Sequence, residues 1–428
     1  MSDFDAIVVG SGCAGSVAAY ELARAGKSVL VVERGNTAGA KNMSGGRIYS
    51  HSLKAVFPDF EQTAPIERKI THERISMLSP DANFTVDFTS EEMRGAGRDS
   101  YAVLRADFDP WLAAQAEEAG AEYIYGIAVE EVLKQDGRIT GVRAGEDEIT
   151  ADVVLLCDGV NSLLTECAVG FKRPASSTMA VGIKQVIELP EGVIDDRVLC
   201  APGEGAAWLF AGDATHGHVG GGFMYTNKNS LSLGLVATIS DAATSEVPVY
   251  QMLEDLKANP AVAPLIRGGK VVEHSGHMVP EGGLNMMPDL IGDGVMLAGE
   301  SAMMCVNLGY MVRGMDYAVA AGMHAGRCAA AALEAGDTSK AGLQGYVDAL
   351  EASFVLKDLK QFSRFPHFME STPRMFNEYP TMIRDIMNTM FIVDGQPVKP
   401  LKKSLMPIVK NVGMLNIFKD VKGGMKAL

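Results

Sequence analysis

Apolar residues first cluster at Ala6–Val9, a short unbroken run that predicts a strand buried on both faces. Ser16–Ala25 reads as a helix, with Gly26 placed to end it. Ser28–Val32 predicts a second buried strand, closed by Glu33. Further on, Asp136-Gly137 separates the apolar runs Val129–Leu133 and Ile139–Val142, which is a hairpin signal. Ala151–Leu156 predicts another buried strand, running into Cys157-Asp158-Gly159. Gly294–Ala298 predicts one more, followed by Gly299-Glu300 and a long helix from about Gly314 to Ala335. Between these blocks the period shortens to two. Strands are expected at Met179–Leu189, Ala207–Ala211, Val219–Tyr225 and Leu231–Thr238, with a helix near Val249–Ala258. From about residue 340 the pattern is helical to the end.

The turn between the first strand and the first helix carries the strongest chemical signal. It reads Gly10-Ser11-Gly12-Cys13-Ala14-Gly15. Gly10 permits the tight turn, Gly12 lets the backbone approach a pyrophosphate, and Gly15 lets helix and strand pack closely. The helix N-terminus offers unpaired N–H groups and the positive end of its dipole to phosphate. Glu33 is placed to accept hydrogen bonds from a ribose hydroxyl. The order strand, glycine loop, helix, strand, acid predicts a bound dinucleotide, and by itself it leaves FAD and NAD open.

Composition narrows the class. The 428 residues allow two or three domains, and 47% hydrophobic against 21% charged residues exclude disorder as the main state. A net charge of −15 excludes a nucleic-acid coat, which needs a basic face. None of the six cysteines forms a C-x-x-C pair, so this chain is not expected to hold zinc or an iron–sulfur cluster by itself. The spread fits reduced thiols and a cytoplasmic protein. The acidic start lacks a signal-peptide pattern, and no apolar run reaches the roughly 18 residues of a membrane span. His216 and His218 lack a ligand set at a known spacing, so no metal is expected. Of the 24 methionines, 17 lie from Met278 onward, and this bias fits either core packing or a deformable apolar pocket. Phe362–Tyr379 is apolar and broken by prolines, and reads as a cover over a pocket or a dip into a membrane surface. Residues 396–428 hold seven lysines and one acid, so an otherwise acidic chain ends on a basic, partly apolar tail. That tail suits an anionic membrane face, an acidic partner or a plain solvated surface.

The three nucleotide-type blocks, at Gly10–Gly15, Asp158-Gly159 and Gly299-Glu300, resemble the FAD signature of flavoproteins related to p-hydroxybenzoate hydroxylase. Glu300 stands where aspartate is usual in that group. A closer likeness runs along nearly the whole chain. Glu33-Arg34-Gly35, residues 39–46 (GAKNMSGG), Val103–Arg105 with Trp111-Leu112, Gly220–Tyr225, Pro280–Gly283 and residues 307–316 (NLGYMVRGMD) resemble the electron-transfer flavoprotein–quinone oxidoreductases of the FixC type. The resemblance implies one FAD, electrons arriving from an electron-transfer flavoprotein, and a quinone as acceptor. It also implies a [4Fe–4S] cluster supplied by a separate small ferredoxin-like protein.

The resemblance further implies roles for residues. Gly10, Gly12, Cys13, Ala14, Gly15, Glu33 and Arg34 belong to the first nucleotide-binding block. Arg105 falls near the FAD pyrophosphate or adenine side, where a guanidinium forks onto phosphate oxygens. Ala128 and Val129 fall beside the adenine, with plain strand packing as the competing reading. Asp158-Gly159 is the second nucleotide-binding turn, and Gly299-Glu300 the ribityl contact. Gly45, Gly46 and Arg47 fall in a loop that passes the isoalloxazine in similar flavoproteins, a surface loop being the alternative. Gly309, Met311, Val312 and Arg313 precede the long helix, where backbone N–H groups would stabilise negative charge at the flavin pyrimidine edge. The flavin carries the chemistry, so no side chain is singled out as catalytic.

The expected fold is α/β. A Rossmann-like FAD-binding domain spans 1–75, 98–172 and 285–340. An inserted antiparallel-sheet domain over 173–284 forms the substrate or quinone cleft, and a helical region covers 341–428. Two other readings share this fold: a geranylgeranyl-reductase-like reductase of isoprenoid double bonds, and a non-catalytic electron-relay subunit. A flavin monooxygenase is a more distant one. Peripheral contact with the inner face of the cell membrane is the expectation attached to the basic tail.

Overall fold

The computed structural model describes residues 2–43 and 46–428. Strand Phe4–Val9 lies in the middle of a parallel sheet, flanked by Val29–Glu33 and Asp147–Leu156. Ala6 faces Val29 on one side and Val153 on the other. Glu122–Tyr125 and Val295–Leu297 extend the parallel order outward. Ala6, Ile7 and Val8 are wholly buried in the main core, and this is why these strands read as unbroken apolar runs.

The hairpin at Asp136-Gly137 joins Val129–Gln135 to Arg138–Ala144. Both turn residues have positive φ, 51° and 85°, as a two-residue turn of matching twist requires. Strand Asp147–Leu156 belongs to two pairings. Its first four residues run antiparallel to that hairpin, and Ala151–Leu156 then runs along the first strand.

Helix Cys13–Arg24 packs against helix Met315–Ala335. Gly322 and Gly326 form the contact: a Cβ on Gly322 would lie 2.3 Å from the Ala14 carbonyl oxygen, and one on Gly326 2.6 Å from that of Ala18. The two backbones touch, which fixes both helix N-termini beside the sheet's C-terminal edge.

The second sheet has nine strands. Met179–Glu188, Glu204–Gly212, Gly220–Thr226 and Ser230–Thr238 match the alternating stretches read from the sequence, and Lys270–Pro280 adds to them. The sheet also takes Gly46–Tyr49, Ile66–Ser79, Ala82–Thr89 and Ser100–Val103. Most of this material falls within the segments assigned to the nucleotide domain from sequence. The physical reason lies in buried arginines. Arg68 is fully buried, ion-paired with Asp195, and donates from Nε to the Asn227 carbonyl at 2.7 Å. Arg74 pairs with Asp87 at 2.8 Å and donates to the Val198 carbonyl at 2.7 Å. Charged side chains on the inward face hide the period of two.

The last ninety residues are helical. Asp420 on helix Met414–Ala427 accepts two bonds from Arg374, at 2.7 and 2.8 Å, and one from the Tyr379 hydroxyl at 2.6 Å. These contacts tie the tail to Arg374 and to the start of helix Glu378–Phe391.

Candidate functional site

A cleft of about 580 Å³ opens where the first parallel strand ends. Its volume falls within the range of cofactor sites. Gly10 makes the turn at φ 96°, and a Cβ there would meet the Cys157 carbonyl oxygen at 2.6 Å. A Cβ on Gly15 would lie 1.9 Å from the Gly10 carbonyl oxygen, so helix and loop touch. Gly12 differs: the nearest atoms to an added Cβ are Arg105 Nη2 at 3.6 Å and Asn42 Nδ2 at 3.8 Å, so it faces open cleft. Gly12 also caps helix Cys13–Arg24 without a side-chain hydrogen bond, which leaves the first N–H groups turned to the cleft. A second uncapped N-terminus, Gly314 before helix Met315–Ala335, lines the same space.

Arg34, Lys41 and Arg105 bring positive charge to the cleft, and Arg105 is the partly buried one of the three. Arg105 starts helix Arg105–Glu118 and forks onto Asp109, one turn on, through Nε–Oδ1 and Nη2–Oδ2 bonds of 2.6 Å each. Asp109 is wholly buried and also accepts from Asn42 Nδ2 and the Cys13 thiol. Burial alone would lower the Arg105 pKa, but Asp109 reverses this, so the guanidinium stays charged. Burial pushes the Cys13 thiol up to about 12, leaving it protonated and unreactive. Cys13 therefore serves the cleft through its backbone.

Two carboxylates shape the nucleotide end. Glu33 accepts from the Ser11 and Gly35 amides at 2.8 and 2.6 Å, which ties the strand end to the glycine loop. Its oxygens keep lone pairs for a hydroxyl. Asp158 Oδ1 is buried in the cleft wall with no hydrogen-bond partner among the described residues, and burial raises the carboxyl to about 6. An orphaned buried acceptor calls for a donor from a ligand. At the far end, His277 Nε2 lies 3.2 Å from Glu300 Oε2.

Gly10, Gly12, Cys13, Ala14, Glu33, Arg34, Gly46, Arg105, Ala128, Val129, Asp158, Gly159, Gly299 and Glu300 all line this cleft. Gly15 sits beneath it as a packing glycine. Gly45 lies outside the described residues. Arg47, Gly309 and Val312 line a second cleft instead. Arg47 there pairs with Glu73 and lies 4.4 Å from the Tyr49 ring. Met311 packs against the main core. Arg313 lines neither cleft; it bonds Asp316 and Asp358 and stacks on Tyr317, pinning the start of the long helix. Asn42, Met43 and His277 line the first cleft without having been singled out from sequence. Asn42 and Met43 sit inside the GAKNMSGG stretch, so a signal existed there; His277 lies on a strand the sequence did not reveal.

The second cleft, about 540 Å³, lies between the nine-stranded sheet and the C-terminal helices. Its floor is the glycine row Gly220–Gly222, with Leu209, Val236, Met375 and Phe376 around it. Met43, Gly46, Val279, Glu300, Gly314 and Met315 line both clefts, so the two spaces meet along one seam. Among the described residues no group of three His, Cys, Asp or Glu side chains is placed to hold a metal, and His216 instead pairs with Asp255 at 2.9 Å.

An open glycine face, two bare helix N-termini, a fixed guanidinium and an orphaned acceptor suit a dinucleotide with a diphosphate and many hydroxyls. FAD meets that description, and residues 3–204 match the FAD-binding domain family. Residues 365–428 match the C-terminal domain of the ETF-QO/FixC family. Among solved structures, a geranylgeranyl bacteriochlorophyll reductase-like protein from Thermoplasma acidophilum shares the fold, with a TM-score of 0.71 over 98% of this chain and 99% of that one at 18% identity. The flavin-dependent brominase Bmp2 gives 0.64 over 95% and 98% at 15% identity. Sequence relatives are much nearer. "Probable electron transfer flavoprotein-quinone oxidoreductase YdiS" of Escherichia coli K12 is 50% identical over the full length of both chains. "Protein FixC" of Salmonella typhi is 49% identical over 99% of each. Identity at that level from end to end, on an FAD-binding fold with the family's own C-terminal domain, makes this chain a member of the electron-transfer flavoprotein–quinone oxidoreductase/FixC family of FAD-dependent oxidoreductases.

Proposed function

We propose that this chain takes electrons from a reduced electron-transfer flavoprotein and delivers them to a quinone, with FAD as the resident carrier. The observation that carries the reading is the seam: a cleft suited to a dinucleotide and a largely apolar cleft share six lining residues. FAD supplies the redox chemistry, since it exchanges electrons singly or in pairs.

The chain's residues supply binding and environment. Backbone amides at Gly12, Cys13 and Ala14, with the positive charge of Arg105, would hold the diphosphate. Glu33 and Arg34 hold the adenosine ribose end, with Ala128 and Val129 along the adenine. Asp158, Gly159, Gly299 and Glu300 serve the ribityl side. Gly309 and Val312 border the acceptor's cleft, whose apolar walls exclude water. The six cysteines are dispersed along the chain, so an iron–sulfur centre in the route would belong to a separate ferredoxin-like [4Fe–4S] protein.

The basic tail supports peripheral attachment to an anionic membrane face, where quinone resides. Among the described residues no helix is long and apolar enough to cross a membrane. Leu415, Phe418, Val421 and Met425 on the last helix are more than half exposed and share it with Lys419, Lys422 and Lys426.

Anaerobic reduction of the bound FAD tests the electron source. Rapid bleaching by reduced electron-transfer flavoprotein, with NADH and NADPH inert, is the expected result. Rapid bleaching by a nicotinamide alone would refute the proposal. It would also point to the monooxygenase or reductase readings.

A further inference from the structure

We propose that Glu281 is the acid that protonates the quinone in the apolar cleft, an inference that rests on the quinone reading above. Glu281 directly follows strand Lys270–Pro280, is half-buried and lines the cleft. Its amide donates to the Thr178 carbonyl at 2.9 Å, which fixes the backbone. Asn307 sets the side chain. The Gly309 amide donates to Asn307 Oδ1 at 3.0 Å, so the other end of that side chain must be Nδ2, and it donates to Glu281 Oε1 at 3.2 Å. The second oxygen, Oε2, is thereby left to carry a proton. Among the described residues Glu281 forms no ion pair, and His277 goes to Glu300, which lines the same cleft. Burial pushes the Glu281 carboxyl above the ordinary range, so its acid form survives to higher pH than on a surface glutamate.

Reducing a quinone to its quinol takes two electrons and two protons. The electrons come from reduced FAD, the carrier of the family's activity. One O–H bond breaks at Glu281 and one forms at a quinone oxygen. The carboxylate left behind takes a proton from water, and the second quinone oxygen takes its proton from solvent. The other titratable or charged groups on this cleft are Arg47, Tyr225, Glu300, Cys305, His367 and Glu370, together with Tyr310 at the rim. Arg47 is neutralised by Glu73, and burial raises the Cys305 thiol far out of range.

The test uses the full FAD-loaded chain, reduced anaerobically and mixed with short-chain ubiquinone or with ferricenium, which takes an electron and no proton. Glu281→Gln should slow quinone reduction about 100-fold relative to ferricenium reduction, the usual scale for a lost general acid. The parent's rate should fall with rising pH, and in the variant that fall should vanish. Glu281→Asp should recover most of the rate. Independently of turnover, the parent's infrared spectrum should contain a deuterium-sensitive protonated-carboxyl band that Glu281→Gln removes. An unchanged quinone-to-ferricenium ratio with an unchanged pH profile overturns the assignment. A parent protein that reduces ferricenium and no quinone overturns the quinone reading itself, and this assignment with it.

Discussion

The ion pair between Arg105 and Asp109 offers the sharpest test of how the cofactor cleft is held. The pair spans one helical turn, but its cost and value differ from those of a surface pair, because Asp109 has no exposed side-chain area. Exposed pairs at this spacing contribute about 0.3–0.5 kcal/mol. Removing one partner of a buried pair strands a charge and costs about 3–5 kcal/mol. Asp109→Ala and Arg105→Ala should each lower the unfolding free energy by that amount. The double variant leaves no stranded charge, so it should fall well short of the sum, with a coupling of about 2–3 kcal/mol. Urea titrations at pH 7 and one fixed FAD concentration give the three values, since ligand binding to the native state adds its own term. Raising the salt should change the coupling little, because buried charges are poorly screened. Arg105→Lys keeps the charge and loses the fork, and should retain stability better than it retains FAD. Single variants that cost under about 1 kcal/mol, or that add within about 0.5 kcal/mol, would refute this account.

Gly322→Ala should be far more damaging than Gly26→Ala. The first drives a methyl to 2.3 Å from the Ala14 carbonyl, for a loss of about 3 kcal/mol or more together with FAD, whereas the second meets open space and costs about 1 kcal/mol of left-handed strain; thermal melts and bound-flavin absorbance read both, and equal losses would sink the packing argument. Asp158 is raised to about 6 from 3.8, so with FAD removed its stabilisation is complete below pH 4 and is lost as pH rises through 6; Asp158→Asn should flatten that slope, by up to about 3 kcal/mol, in denaturation series from pH 4 to 7, and an unchanged slope would refute the assignment. Replacing Lys419, Lys422 and Lys426 with glutamine should cut sedimentation with anionic vesicles several-fold and leave neutral vesicles unaffected, and equal binding of parent and variant would remove the tail from any membrane role.

Much of the cofactor domain was legible in the residues themselves. Parallel strands buried on both faces must be apolar throughout, so Ala6–Val9, Val29–Val32 and Ala151–Leu156 announce themselves, and a loop that has to pass under a diphosphate must be glycine at Gly10, Gly12 and Gly15. The Asp136-Gly137 turn is local chemistry and is equally readable. The edge of the second domain was not. Ile66–Ser79 buries Arg68 and Arg74 inward, and only their partners Asp195 and Asp87 make that burial tolerable; Asp195 lies 127 residues from Arg68, beyond any local pattern.

The sequence alone determined the dinucleotide turn, because it rests on residue types at fixed short spacings, and FAD and the family followed from a resemblance that runs along nearly the whole chain. Only the tertiary structure decided which of those residues share a cavity. It separated Arg47, Gly309 and Val312, which line the second cleft, from Arg105, which lines the first, and it assigned Arg313 to holding a helix. It also brought Glu281, Asn307 and the glycine row Gly220–Gly222 around one apolar space. Side-chain direction and long-range pairing set that geometry, and neither is encoded in any window of neighbouring residues.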